Sequence, residues 1–326
     1  MNPSRHKWHV PLILLFTILL SSARADVPSA PKKFQKPFTP KEFKDHLIGP
    51  IFSLPMPFAA DGNVDHDSIK KMIGVALEYD IKIFEMSSGN SMYDWLSYDE
   101  MKAATRTLVR AVGDRGLTIT CMDDFWTDRA IDYVRYAEKI GADAVEVHAP
   151  DISEDAMVKY FQRIADSTRM AISFSNKGLA PETIRRLLEI ESVVAMKEHS
   201  LQEYIFLQTR FGDRLRIYGG GTTYRFLTAA PYGAKAYFDI YAIFAPWVAK
   251  DFWEAYQKGN TEKCYEMVKT YDVPICEAFD LGFFHAALEY FRVGQRHLRD
   301  PLKGYTDEQM KEVQEFFQAR GLFPRE

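Results

Sequence analysis

A (β/α)8 barrel with an appended C-terminal helical region is the fold that this 326-residue chain predicts. Two observations carry it. Eight short apolar runs occur in order, each followed by an amphipathic segment of helical period. No G-x-G-x-x-G follows the first run, which argues against a doubly wound dinucleotide-binding sheet.

The runs are Ile51–Phe58, Ile81–Ser88, Leu117–Asp123, Ala144–Ala149, Met170–Asn176, Val193–His199, Leu215–Gly219 and Ala234–Tyr241. Between them, helices are expected over Asp67–Glu78, Asp99–Val112, Asp128–Ile140, Ala156–Asp166 and Pro181–Glu189. Each opens near Asp, Ser, Thr or Pro, residues that satisfy or do without the unpaired N–H groups of a first turn. Gly116, Gly141, Gly212 and Gly233 precede the next runs as helix stops. Past the eighth run, helices are predicted at Pro246–Lys258, Thr261–Val273, Glu277–Gly294 and Asp307–Arg320. The expected organisation is a signal peptide at 1–25, an arm at 26–45, the barrel at 46–245 and the helical region at 246–326.

With 47% hydrophobic and 26% charged residues the chain can bury a large core. A net charge of -4 leaves no basic footprint, so nucleic acid is not an expected partner. The first residues read differently from the rest. Arg5, His6 and Lys7 precede the apolar Pro11–Leu20, and Ser21-Ser22-Ala23-Arg24-Ala25 supplies an A-x-A cleavage site. Cleavage after Ala25 and export to the periplasm or beyond are expected, with no stable membrane insertion afterwards, because the apolar stretch is short for a bilayer. Of three cysteines, Cys264 and Cys276 are a possible pair and Cys121 reads as a small core residue. No Cys/His spacing points to zinc, and no metal or cofactor is expected.

Chemistry in such a barrel belongs at the C-terminal strand ends, and here those ends are polar. The most informative is Val193-Val194-Ala195-Met196-Lys197-Glu198-His199. Strand alternation puts Lys197 on one face with Val193, Ala195 and His199, and Val194, Met196 and Glu198 on the other. A lysine facing inward among small residues must be desolvated or paired; desolvation would lower its pKa and free a neutral amine for attack on a carbonyl. The alternative is a lysine snorkelling at a strand end. In the preceding run, Ser173 and Ser175 are expected to face the axis beside it. Ser87-Ser88-Gly89-Asn90 offers N–H groups and hydroxyls to a carboxylate. Gly219-Gly220-Gly221 is either a tight turn or a place where a ligand nears the backbone.

These motifs, in this order, resemble the class I Schiff-base aldolase family of dihydrodipicolinate synthase and N-acetylneuraminate lyase. Gly49-Pro50-Ile51, Pro57-Phe58, Asp61-Gly62 and Val64-Asp65 resemble the family's first strand and turn. Ser87-Ser88-Gly89-Asn90 stands where the family has G-T-T-G-E, and Val194-Ala195-Met196-Lys197-Glu198 resembles its Schiff-base segment. Gly219-Gly220-Gly221 resembles its s-G-x-D turn, and Arg299-Asp300-Pro301-Leu302 with Thr306-Asp307-Glu308 its C-terminal stretch. The resemblance covers residues 46 to 323 and implies Lys197 as nucleophile towards a pyruvate-like 2-oxo acid, in a homotetramer or homodimer. The aromatic-rich helical tail also offers surface for association.

The departures are specific. The family's catalytic tyrosine falls on Ser175, whose hydroxyl is far less acidic than a phenol. The next loop is short, and the family's P-Y-Y is Pro150-Asp151-Ile152 here. The expected site is therefore Lys197, Ser175 and His199 as catalytic residues, with Ser87, Ser88, Gly220, Gly221, Asn176 and Tyr241 binding substrate. The proton carrier must be new, with His199, His148 and Tyr241 as candidates. A lyase of aldolase type is the favoured activity; the alternative is a non-catalytic binding protein that keeps Lys197 as a cation. A metal-dependent hydrolase built on Asp123, Asp124, His148 and Asp239 fits poorly, because parity turns only one of the two adjacent aspartates inward.

Overall fold

The computed structural model describes residues 34–325 except 88, 124, 149, 177, 220 and 279, so the signal-peptide expectation lies outside the described residues. Eight parallel strands form a closed barrel: β1 (Gly49–Ser53), β2 (Ile83–Glu85), β3 (Leu117–Met122), β4 (Ala144–Val147), β5 (Ala171–Ser175), β6 (Val193–Glu198), β7 (Arg216–Gly219) and β8 (Ala236–Phe238). β8 closes on β1 with Gly49 opposite Ala236. The strands are shorter than the apolar runs that predicted them, because turns and helix caps consume the ends.

Alternation sorts each strand between two cores. Outward residues such as Phe52, Phe84, Ile172 and Met196 meet the surrounding helices. Inward residues fill the barrel, and the lower layers are apolar, with Ile51, Ile83, Leu117, Ile119, Ala144, Ala171 and Ala195. The helices bind through caps of the predicted kind: Ser97 and Glu100 form a capping box at Tyr98–Val112, and Thr306 and Gln309 another at Asp307–Gln318.

One irregularity aims the site. Between β5 and β6 the register passes from Ile172 opposite Val193 to Ser173 opposite Ala195, leaving Val194 as an extra residue. The predicted alternation along the whole run is therefore broken at this bulge: Val193 belongs to the outer core and Val194 to the inner. From Ala195 onward the predicted parity is restored, with Met196 outward and Lys197 inward. Bulges recur beside active sites because they re-aim side chains in this way.

The barrel is closed from below. Phe34, Phe43 and Leu47 join the inner core, Phe43 from a short helix over Pro40–His46 that packs under β5 and β6, Leu47 from its C-cap and Phe34 from the segment before it. Lys36 Nζ reaches Asp143 Oδ2 at 2.6 Å on the same side. At the other end, the C-terminal helices lie against the mouth. A π-helical stretch at Val268–Asp272 interrupts the predicted Thr261–Val273 helix. It sets Asp272 to accept the backbone N–H groups of Thr223 (3.3 Å) and Tyr224 (2.9 Å). Arg299, from the C-terminal motif, donates to the Gly62 carbonyl at 2.7 Å, pairs with Glu100 and lies over the Phe58 ring at 4.7 Å. Cys264 is buried and Cys276 exposed, and the suggested disulfide between them is not formed.

Candidate active site at the C-terminal mouth of the barrel

The top inward layer is polar where the layers beneath are apolar. Ser53, Glu85, Glu146, Ser173 and Lys197 all enter it buried, contributed by five different strands. Above it opens a cavity of about 490 Å³. Ser53, Ser87, Asn90, His148, Lys197 and His199 line one part of it; Ile243, Ile275 and Phe284 line another. The helical region thus builds part of the cavity wall.

Lys197 stands at the floor of this cavity, between two carboxylates. Its Nζ lies 2.9 Å from Glu85 Oε1 and 3.4 Å from Glu146 Oε2, and 4.5 Å above the Phe238 ring. Burial alone would pull its pKa down, but Glu146 and Glu85 outweigh burial and hold it above the ordinary lysine range. The expectation of a neutral amine produced by desolvation is therefore corrected: the resting side chain is an ammonium. It is neither unpaired nor snorkelling.

The carboxylates divide one proton unevenly. Burial raises Glu85 well above the carboxylate range, and Glu146 adds to the rise against the pull of Lys197. For Glu146, burial is overcome by Lys197 and by hydrogen bonds from Glu85 and His148, so it stays ionised below the usual range. Glu85 Oε2 is buried with no hydrogen-bond partner among the described residues, an unmet polar atom that adds to the cost of ionising this carboxyl. An ammonium between two buried carboxyls favours a pair that holds one proton between them, because the cluster then carries no net charge, the arrangement that burial penalises least. His148 Nε2 completes the group at 2.7 Å from Glu146 Oε1.

The other predicted residues divide. Ser87 lines the cavity and shares a 3.2 Å hydrogen bond with Ser53, whose Oγ also accepts from Asn90 Nδ2 at 2.9 Å. Gly221 lines it too, at φ +94°, which a side chain would strain. The two readings of that turn meet here, because Gly219 gives way to the Tyr204 ring, which an added Cβ would approach to 2.6 Å. Ser88 and Gly220 lie outside the described residues. His199 lines the outer cavity, where partial burial and the Lys197 charge pull its imidazole below the ordinary range.

Three expectations are corrected. Ser175 is opposite Lys197 in register but does not line the cavity. Asn176 is a turn residue: its N–H donates to the Lys197 carbonyl at 2.9 Å, its Oδ1 accepts from Leu179, and its amide donates to Glu198. Tyr241 points away, because β8 ends at Phe238 and Tyr241 opens a helical turn; its hydroxyl donates to the Tyr271 carbonyl at 3.1 Å. A tyrosine does sit beside Lys197, namely Tyr218 on β7, but its hydroxyl is buried in a 2.9 Å bond with Ser173 Oγ. Burial first, then Glu85 and Glu146, push its pKa well up.

Among the described residues, Cys121, Glu146 and His148 place ligand-type atoms within 4.8 Å of one another. Both Glu146 oxygens are already engaged, one by Lys197 and one by His148, so a metal ion held by these three would have to break the His148–Glu146 bond or displace the ammonium.

The fold and the site together are those of a closed (β/α)8 barrel with a buried, carboxylate-paired lysine at its C-terminal mouth. A sequence model of the dihydrodipicolinate synthetase family matches residues 46–320, and the chain belongs to that family, whose function is aldolase-like. It is 26% identical over 226 residues to a 4-hydroxy-tetrahydrodipicolinate synthase of Pelobacter propionicus, covering 66% of this chain and 77% of the relative. A probable 5-dehydro-4-deoxyglucarate dehydratase of Bacillus subtilis is 23% identical, over 82% of this chain and 93% of its own. The fold is also that of N-acetylneuraminate lyase from Fusobacterium nucleatum, with a TM-score of 0.76 at 15% identity, covering 86% of this chain and 99% of that one.

Proposed function

We propose that the chain is an exported lyase of aldolase type that binds a pyruvate-like 2-oxo acid as a Schiff base on Lys197. The observation that carries this is the placement of Nζ: buried, at the floor of a cavity wide enough for a small acid, on the strand end where the family motif put it. Ser53 and Ser87 offer hydroxyls to the acid's carboxylate. Once formed, the iminium is an electron sink, so a bond at the neighbouring carbon forms or breaks, or water leaves. The paired carboxylates suit this chemistry, because the iminium carries the same single positive charge as the ammonium, with one N–H left to donate to one of the two.

Trapping tests the reading. Incubation with pyruvate and then borohydride should add the reduced adduct to Lys197, seen in intact-mass and peptide spectra, and Lys197→Arg should abolish it. Export rests on the basic, apolar and small-residue order of Arg5 to Ala25.

A second reading is favoured by one observation, the strength with which Glu85 and Glu146 hold Lys197 charged. In it the barrel is a binding protein, and Lys197 is a fixed cation for an acidic ligand. Failure to trap with several 2-oxo acids, while pyruvate binding is still detected by calorimetry, would select it.

A further inference from the structure

We propose that His148, held by Glu146, is the proton carrier of the Lys197 site and takes the place of the tyrosine that this chain lacks. The inference rests on the Schiff-base reading and adds to it the residues that move the protons.

Proton balance sets the requirement. An ammonium and a ketone become an iminium and water, so two protons leave Nζ and both end on the departing oxygen. Because Lys197 rests as an ammonium, something touching Nζ must accept the first proton before the nitrogen can attack. Glu146 has the placement: Oε2 lies 3.4 Å from Nζ, and Oε1 lies 2.7 Å from His148 Nε2. One carboxylate therefore bridges the amine to an imidazole that lines the same cavity. Glu146 accepts a proton from Nζ and the nitrogen pair closes on the carbonyl carbon. The carboxyl then turns to present that proton from Oε1 to His148 Nε2, in the tautomer that leaves Nε2 free to accept, and the ring gives up the proton on its other nitrogen to the carbonyl oxygen. The same route carries the second proton as the carbon–oxygen bond breaks and water leaves. Glu85, the other partner of Nζ, remains as the group that keeps the nitrogen in place.

The other hydroxyls and rings are less well placed. Tyr218 is committed to Ser173 beneath the lysine, Tyr241 donates to Tyr271, and Ser175 does not line the cavity. His199 lines the cavity further out, and among the described residues no hydrogen bond ties its ring to the cluster. Among the described residues, the charged or titratable groups of this cluster and cavity are Glu146 on β4, Glu85 on β2, Cys121 on β3, Lys197 on β6, His199 just past it, Asp239 just past β8, and Arg225 and Cys276 in the outer lining. Of these, Glu146 alone meets both Nζ and an imidazole at the distances given.

Timed trapping decides it. Full-length protein is mixed with pyruvate and quenched with borohydride at intervals, and the Lys197 adduct is quantified by mass over a range of pH. His148→Gln keeps an N–H for Glu146 but cannot relay a proton. It should reach the wild-type plateau about 100-fold more slowly and lose a limb of the rate–pH profile that wild type shows. His148→Gly should be slow alone and accelerated by added imidazole. Trapping of His148→Gln at the wild-type rate, or a lowered plateau with an unchanged rate, would overturn the relay while leaving the Schiff base intact. Wild type that never traps would instead remove the Schiff-base reading itself, and the relay with it.

Discussion

Replacing Lys197 with methionine is the most informative single perturbation of stability, because the lysine neutralises a carboxylate that cannot reach water. Glu146 is fully buried, and its Oε2 sits 3.4 Å from Nζ. At an effective dielectric constant of about 20, that separation corresponds to about 5 kcal/mol of attraction. Removing one member of a buried pair typically costs about 3–5 kcal/mol, since the remaining charge is stranded. Lys197→Met should therefore lose about 3–5 kcal/mol at pH 8. The sign of the pH dependence follows from the stranded carboxylate. Unpaired, Glu146 has a folded-state pKa raised above its unfolded value, so the variant is relatively stable while Glu146 is protonated and loses stability as pH rises through that raised pKa. Urea unfolding of both proteins at pH 5 and pH 8 should show the deficit shrinking at pH 5. Adding Glu146→Gln should return most of the loss at pH 8. A deficit under about 1 kcal/mol, or one equal at both pH values and untouched by Glu146→Gln, would refute the charge assignment of the cluster.

Further tests reach beyond the lysine. Asp239 is buried and its pKa is pushed up to about 7, by burial first and then by Asp272. It favours the fold while protonated, and stability is lost as pH rises from about 4 to about 7. Asp239→Asn should remove that slope and stabilise by up to about 4 kcal/mol at pH 8, measured by denaturant unfolding. His285 is buried with neither ring nitrogen bonded among the described residues, and burial drops its pKa to about 4. Stability is therefore lost as pH falls through 6.5 towards 4, and His285→Phe should lessen that loss by up to about 3 kcal/mol at pH 4 in the same assay. N-terminal sequencing of protein from its native host should begin at Asp26; a retained Met1 would sink the export proposal.

The fold was largely legible because eight apolar runs and their capped helices repeat one simple unit. Lys197 was legible for a related reason: a charge ending an apolar strand has few places to go. Its partners were not singled out, although a signal existed. Glu85 is in phase with Ile83, and Glu146 with Ala144, so each carboxylate lies on a face that is otherwise core. Two acids from separate strands meet only when the barrel closes, and no local spacing announces that. The bulge at Val194 also left no mark, since Val193 and Val194 are both valines and the pattern reads alike whichever is the extra one. Tyr241 was misplaced because Tyr-Ala-Ile-Phe suits a strand and a helical turn equally, and the backbone chose the turn at Ile240. Asn176 was read as a ligand when its side chain is needed to hold the shortened loop to Glu198 and Leu179.

The aromatic closure beneath the barrel has a consequence for how the chain assembles. Phe34 and Phe43 come near the start, yet the surfaces they cover include Ala171 and Val194, well over a hundred residues later. Until β5 and β6 have emerged and paired, these rings have nowhere to settle. The contact is of long sequence separation, so its loop closure is expected to come late in folding and to prolong exposure of apolar surface. A chain shortened to begin at Phe34 should still complete the barrel. One that begins at Ile48 would leave the lower end of every strand open to water.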